Sequence, residues 1–389
     1  MRVVIVGGGI AGTTCAEELR KRDANAEITI ISEEVHPLYS RVLLPHYIKG
    51  KVARERVFLK LEGWYEKQNI EWLPGERVQK MDGKNKFVEL GSGRELPFDK
   101  LLLATGGQVK ILPEDVRGVS YLSTLDDADH LIQLLSERKA SDRAGIYGGG
   151  FIACEYLSIF SHFHIPTTMV FRSSHVWSRV FDSESGSLIE KQLKKQGVEV
   201  ISEAVFEQLF GEKELEGFQT TKGKHLCQVL GVGIGTISDL SWIREGHIEV
   251  KTGIKTNEFL ETNIPDVYAA GDSTEFFDVI SGHHRLGGNW MNAQTQGRIV
   301  AQSMCGERAL FRLVSSHAIN VLGLEVIYIG DTDREWADKI LVQGSVLEGG
   351  VAQLFLKNNR VIGATLVGRN RDRPKLTKMI NEEIDVSDQ

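Results

Sequence analysis

Cysteine is scarce in this 389-residue sequence, and the four that occur, Cys15, Cys154, Cys227 and Cys305, lie far apart with no Cys-x-x-Cys or other metal or redox spacing. That excludes a disulfide-stapled module and suits a reducing compartment. Basic charge is lacking too. Against 53 Asp and Glu stand 46 Lys and Arg, and the net charge of -7 argues against general affinity for nucleic acid or an anionic lipid surface, leaving room only for a local basic patch. No run approaches the ~20 apolar residues of a spanning helix, and the opening run 3–6 is too short for a signal peptide. The expectation is a soluble cytoplasmic protein with no membrane span, no nucleic-acid partner and no metal.

What the sequence does contain is enough apolar residue, 41% against 25% charged, to bury real cores. At ~100–200 residues per domain, its length points to two or three of them. Glycine is abundant, 40 residues, and the glycines cluster after apolar runs. Residues 3–6 are a β-branched run of the kind that makes a buried parallel strand. Gly7-x-Gly9-x-x-Gly12 and a helical stretch, 13–21, follow it. A second apolar run, 28–31, ends in Glu33 and Glu34, about 20 residues beyond the glycines, where a dinucleotide fold needs an acid. In such a loop the first glycine makes the turn, the second lets backbone N–H groups approach a pyrophosphate, and the third allows close helix packing.

The unit recurs. Residues 144–147 form a strand, Gly148-x-Gly150-x-x-Ala153 the loop with an allowed alanine at its third position, 154–163 a helix and 167–171 the next strand. The separation far exceeds the ~20–50-residue period of a solenoid, so two separate nucleotide sites are expected. Between them, 98–105 reads as a strand and 122–138 as a helix with acidic residues in its first turn. A glycine-rich crossover, 231–235, strand-like pieces to 272 and a helix over 292–305 come next. From about 313 the pattern changes to short alternating runs, 352–356 and 361–367, and a final helix, 375–383. The fold class expected is α/β: two Rossmann-like three-layer domains, each with a nucleotide site, plus a small C-terminal α+β domain. The boundaries are 1–110 and 236–312 for the first domain, 111–235 for the second and 313–389 for the third.

The two fingerprints, Ala104-Thr105-Gly106 and the run from Thr262 to Gly271-Asp272 together resemble the FAD-dependent pyridine nucleotide oxidoreductase family over residues 1 to about 310. Within it, the segment from Tyr39-Ser40-Arg41 to Lys49-Gly50 resembles NAD(P)H:rubredoxin reductases and the flavin module of the nitrite reductase large subunit, the former being closer in length. The resemblance implies that Gly7, Gly9, Gly12 and Glu33 hold the ADP half of FAD, with Glu34 the alternative carboxylate. Asp272 would hold the ribitol chain and Arg41 sit near the flavin or pyrophosphate, against the readings of a turn aspartate and a solvated arginine. Trp290 and the helix start after it would lie beside the isoalloxazine; the other reading is a core tryptophan. Glu155 would orient the nicotinamide, or be an ordinary helix-surface acid. Val78, Thr105, Gly106, Gly148, Gly150, Ala153 and Gly233 complete the implied cofactor-binding positions.

NADH-specific members usually carry an acid after the strand that follows the second loop, but here the sequence reads Phe171-Arg172-Ser173. Arg172 suits the 2'-phosphate of NADPH or is only a solvated charge, so the donor is NADH or NADPH with a slight lean to the latter. The family's reactive thiols are also missing, since Arg41 and Val42 stand where a peroxidase or oxidase cysteine would be, and no close Cys pair or His-Pro-x-x-x-x-Glu signature occurs. No side chain is then a catalytic acid, base or nucleophile, and the flavin itself hands on electrons. The tail offers a basic cluster, Arg369, Arg371 and Arg373 with Lys375 and Lys378, suited to an acidic rubredoxin-like carrier. The expectation is an NAD(P)H:rubredoxin reductase-like flavoprotein, monomeric or homodimeric. The alternatives are an oxidase making peroxide from oxygen and a non-catalytic flavin-bearing subunit or redox-sensing scaffold.

Overall fold

A computed structural model describes residues 1–114, 116–244 and 246–386. By its contacts the chain forms two units. The first comprises Met1–Ser40, Arg54–Gln108 and Ile237–Leu313, and the second Arg41–Ala53, Val109–Thr236 and Val314–Gln389.

In the first unit five parallel strands lie in the order Val267–Ala269, Lys100–Leu103, Arg2–Val6, Glu27–Ser32, Ile70–Pro74. Both faces of this sheet are covered, which is why its strands read as unbroken β-branched runs and not as polar–apolar alternation. Alternate side chains of one strand serve different cores. Val3 and Ile5 pack with Cys15, Leu19, Val300 and Met304 of the helices Ile10–Arg22 and Trp290–Met304. Val4 and Val6 pack with Val78, Met81, Val88 and Leu90 of an antiparallel meander, Val78–Asp82, Phe87–Leu90 and Glu95–Pro97. Each such side chain contributes about 1.5–3 kcal/mol by leaving water. The layers are therefore helix, parallel sheet and meander.

The second unit repeats the plan. Its parallel strands run Glu199–Ile201, Thr167–Val170, Ala144–Tyr147, Val229–Val232, Val119–Ser120. Helices Leu125–Glu137 and Phe151–His162 accompany them, and a second meander, Phe206–Phe210, Gly217–Thr220 and Gly223–Leu226, packs Leu209 and Phe218 against Tyr147 and Val232. The same unit includes the tail, an antiparallel sheet ordered Ser316–Val321, Leu324–Gly330, Arg360–Val367, Gly350–Lys357, Lys339–Ser345, against which helix Arg373–Asn381 buries Leu376, Met379 and Ile380. The α/β class and the α+β tail expected from the sequence are both present.

Element ends differ from the expected ones for local reasons. The helix expected over 122–138 begins at Leu125 because Thr124 caps it, accepting from the Asp127 amide while the Asp127 carboxylate accepts from the Thr124 amide. The helix expected from 292 begins at Trp290, where Asn289 accepts from the Asn292 amide at 2.9 Å. Both fingerprint helices start directly after their second glycine, earlier than apolar periodicity alone indicates. Among the described residues, no helix is long and apolar enough to cross a membrane, and no group of three His, Cys, Asp or Glu is placed to hold a metal.

Candidate functional site

The first fingerprint is built by crowding on one side and openness on the other. Gly7 has φ +119°, and a Cβ there would fall 2.0 Å from the carbonyl oxygen of Ala104 on the neighbouring strand. A Cβ on Gly12 would fall 2.0 Å from the carbonyl oxygen of Gly7, so the helix rests on the loop itself. At Gly9 a Cβ would meet nothing within 4 Å. Gly9 is the N-cap of helix Ile10–Arg22, with no side-chain cap and no acidic residue in the first turn. The amides and positive dipole end of this helix therefore border open space, which fits a pyrophosphate.

Four adjacent parallel strands end beside this loop. Arg2–Val6 leads into Gly7, Glu27–Ser32 into Glu33, Lys100–Leu103 into Ala104-Thr105-Gly106, and Val267–Ala269 into Gly271-Asp272. At about 4.8 Å between strands, their carboxyl ends span roughly 15 Å, the scale of a dinucleotide half. Ser32 lies behind Gly8, and the next residue, Glu33, is exposed, with Arg77 Nη1 at 3.6 Å and Gln108 Nε2 donating at 3.4 Å. Glu34 is engaged differently, accepting from the Tyr39 hydroxyl. Arg77, which the sequence did not single out, also pairs with Asp239 at 2.9 Å. Val78 sends its side chain into the apolar core, so only its backbone could meet a ligand. Thr105 is exposed, and the Gly106 carbonyl accepts from Ser238 Oγ at 2.9 Å.

Asp272 is exposed and follows Gly271, whose φ is +88° and whose amide donates to Gln296 Oε1 at 2.7 Å. Gly288 comes close enough that a Cβ there would lie 3.5 Å from the Asp272 carboxyl carbon. A Cβ on Gly297 would fall 2.3 Å from the Ala11 carbonyl oxygen, so the helices Ile10–Arg22 and Trp290–Met304 meet backbone to backbone. Trp290 is half-buried at the first position of its helix.

The second fingerprint repeats the first at its first three positions, with Ala153 where the first has Gly12. Gly148 has φ +137°, with a Cβ position 2.1 Å from the Gly233 carbonyl oxygen, and Gly233 in turn abuts the Ala153 amide. Gly150 borders open space as the uncapped N-cap of helix Phe151–His162. Behind the middle glycine, Gly149, stands Phe171, as Ser32 stands behind Gly8, and the exposed residue that follows is Arg172 where the first site has Glu33. At this strand end Phe171 is therefore buried and Arg172 is the exposed residue. One turn into the helix, burial pushes the Glu155 carboxyl above the ordinary glutamate range, with the Lys49 ammonium pulling it back. Burial lowers Lys49 while Glu155 opposes that, and Lys49 donates to Ser158 Oγ at 2.8 Å. Lys49 stood in the segment that carried the resemblance, but nothing local paired it with Glu155.

Arg41 opens a 3-10 turn, Arg41–Leu43, and its guanidinium donates to the Ser123 carbonyl. In the tail, Arg369 is held by Asp372 at 2.7 Å, Arg371 stands fully out in solvent, and Arg373 begins helix Arg373–Asn381, from which Lys375 and Lys378 project. All four cysteines are unpaired. Cys15 and Cys154 are buried in the fingerprint helices, where burial raises both thiols far out of the reactive range, and burial likewise pushes Cys227 up to about 12.

Residues 1–297 match the family described as pyridine nucleotide-disulphide oxidoreductase. The nitrite reductase, NAD(P)H, of Bacillus subtilis (strain 168) is 29% identical over the whole of this chain, which spans about half, 48%, of that protein's length. The NADH-rubredoxin oxidoreductase of Clostridium acetobutylicum is 27% identical across 98% of this chain and 94% of its own. Among solved structures, the covalent putidaredoxin reductase–putidaredoxin complex contains a chain that superposes with a TM-score of 0.89 at 25% identity, covering 99% of this chain and 94% of that one. The loops, the strand-end residues and these likenesses agree, and the chain belongs to the pyridine nucleotide-disulphide oxidoreductase family, whose members are FAD-dependent oxidoreductases of NAD(P)H.

Proposed function

We propose that this chain is a flavoprotein reductase that moves electrons from NADPH to a small electron-carrier protein. The observation supporting it most directly is the pair of matched loops followed by opposite charges, Glu33 in one and Arg172 in the other. One geometry with two charges suits two different nucleotides. In the first, residues 1–110 and 236–312 would hold FAD, with Glu33 suited to accept from its ribose hydroxyls and Asp272 from its ribitol chain. In the second, residues 111–235 take the donor, with Arg172 on its 2'-phosphate. FAD, when bound, supplies the redox chemistry, accepting a hydride from the nucleotide and passing electrons on.

The chain's own residues position and screen. The helix starts at Ile10 and Phe151 hold phosphate charge, the start at Trp290 favours negative charge beside the isoalloxazine, and Glu155 orients the nicotinamide with Lys49 easing its burial. Three buried thiols and a half-buried fourth, Cys305, none of them paired, leave the flavin to hand on electrons directly. The carrier reading draws support from the names of the rubredoxin-reducing relative and of the putidaredoxin complex. Arg371, Lys375 and Lys378, with Arg369 and Arg373 beside them, would meet an acidic carrier.

Anaerobic titration of the flavin-loaded protein with NADPH and with NADH tests this. Bleaching at about two electrons per flavin is expected, at lower concentrations of NADPH than of NADH. In Arg172→Glu that order reverses, with the NADPH requirement rising about tenfold or more, as loss of a charge-assisted phosphate contact implies. Absence of bleaching by either nucleotide overturns the reductase reading, and uptake of four electrons contradicts a flavin-only path.

A further inference from the structure

The tail sheet stands against the second fingerprint, within the same unit. Phe151, the residue directly after Gly150, keeps an exposed side chain, yet its ring centre lies 5.3 Å from His317 and 5.0 Å from Tyr328 of the tail. The tail pair is itself stacked, 5.0 Å apart with planes 1° from parallel, as cross-strand neighbours. Trp177 completes the group at 5.5 Å from Phe151 and 6.1 Å from Tyr328. It holds φ +53°, unusual for so bulky a residue, and its amide donates to the carbonyl of Gly149, the middle glycine of the loop, at 3.3 Å.

The same row of the sheet continues in register from Tyr328 through Thr365 to Gln353. Gln353 is fully buried, donates to the Val180 carbonyl at 2.9 Å and accepts from the Asp182 amide at 2.6 Å. The segment that begins at Arg172 and ends at the helix N-cap Asp182 is thus tied down at Trp177, Val180 and Asp182. A cohesive contact between two layers would need only apolar bulk. Here one transverse row of the tail instead touches the glycine loop at one end and the charge-bearing segment at the other.

We infer that the tail sheet is a positioning part of the NAD(P)H site: the row His317–Tyr328–Thr365–Gln353 holds the Gly148–Phe151 turn and the 172–182 segment in the geometry that binds the nucleotide. The inference rests on the second fingerprint being an NAD(P)H site. His317, Tyr328 and Gln353 are positioning residues that act through Phe151, Trp177 and the loop backbone.

Calorimetric titration of the flavin-loaded protein with NADP+ and NAD+ tests it without turnover, alongside hydrogen exchange of residues 148–182. Tyr328→Leu removes the ring contacts, and Gln353→Met removes the two loop hydrogen bonds. Tyr328→Phe keeps the ring and deletes only a buried hydroxyl that has no hydrogen-bond partner. Expected are an NADP+ Kd about tenfold weaker in both Tyr328→Leu and Gln353→Met, faster exchange in the two segments, an unchanged Tyr328→Phe, and a limiting rate of flavin reduction at saturating NADPH within about twofold of the parent. Gln353→Met keeps the test valid if Tyr328→Leu fails to fold. Parent-like Kd values with folded variants overturn the inference, as does faster exchange without any change in Kd. Failure of the parent to bind either nucleotide removes the reductase reading itself, and with it the site this row would position.

Discussion

Glu155 illustrates how burial and one distant lysine set a side chain's behaviour. Its carboxyl is pushed up chiefly by burial, so the folded protein binds this proton more tightly than the unfolded chain does. Stability from this group is therefore fully present at pH below the ordinary glutamate value and is lost as pH rises from there through the raised folded value. Glu155→Gln removes the dependence. The expected outcome is a Tm gap in favour of the variant that opens with rising pH across that window and is flat above it. Thermal unfolding of both proteins from pH 4 to 8 measures it, and a gap that shrinks as pH rises contradicts the assignment. In Lys49→Met the same gap widens, since the charge that pulls Glu155 back is gone.

At the scale of elements, what matters most is the backbone contact between the helices Ile10–Arg22 and Trp290–Met304. Alanine is a better helix former than glycine by about 1 kcal/mol, so propensity favours replacing Gly297. Packing opposes it, because the added Cβ would sit 2.3 Å from the Ala11 carbonyl oxygen, a backbone atom that cannot swing aside. The helices must separate, and overpacking of this kind costs about 1–3 kcal/mol or more. Gly297→Ala is expected to lower Tm by about 5 °C and to reduce flavin retained per protein, because the Gly271 amide is held by Gln296 on the moving helix. Absorbance ratios after desalting, read beside Tm, check it. A variant with parental Tm and flavin content would show that the close approach is not required.

For the whole molecule, charge is distributed against the average. The net charge is -7, while Arg371, Lys375 and Lys378 stand together in solvent on the tail. Exposed, unburied charges of this sort add little to stability but steer association, and their effect fades with salt over a Debye length of roughly 10 Å at 0.1 M. Replacing all three with glutamine is expected to leave flavin reduction by NADPH unchanged, to lower the rate of reduction of an acidic rubredoxin at low salt about tenfold, and to flatten the fall of that rate with ionic strength. Stopped-flow kinetics across a salt series measures it. A parental salt slope in the triple variant would place docking elsewhere.

Much of the α/β architecture was legible in the residue order, because its signals are local. A β-branched run, a glycine triplet and a helix within a dozen residues describe a strand–turn–helix wherever they occur, and the buried parallel strands betray themselves by lacking alternation. The two meanders were not legible. Their strands are short, and what covers the second face of each parallel sheet is settled by long-range packing. The same division holds at the sites. Gly7 and Gly148 could be named from spacing, but the reason no other residue fits, the carbonyl oxygens of Ala104 and Gly233, comes from distant strand ends and turns. Sequence left Glu33 and Glu34 as alternatives, and Arg172 as either a phosphate partner or a solvated charge. Only the tertiary structure engaged Glu34 with Tyr39, put Phe171 behind Gly149 and left Arg172 exposed. Likewise, only folding brought Lys49 to Glu155 and the tail's His317 and Tyr328 to Phe151, since which residues meet across a hundred positions is decided by the packing of elements and not by their order in the chain.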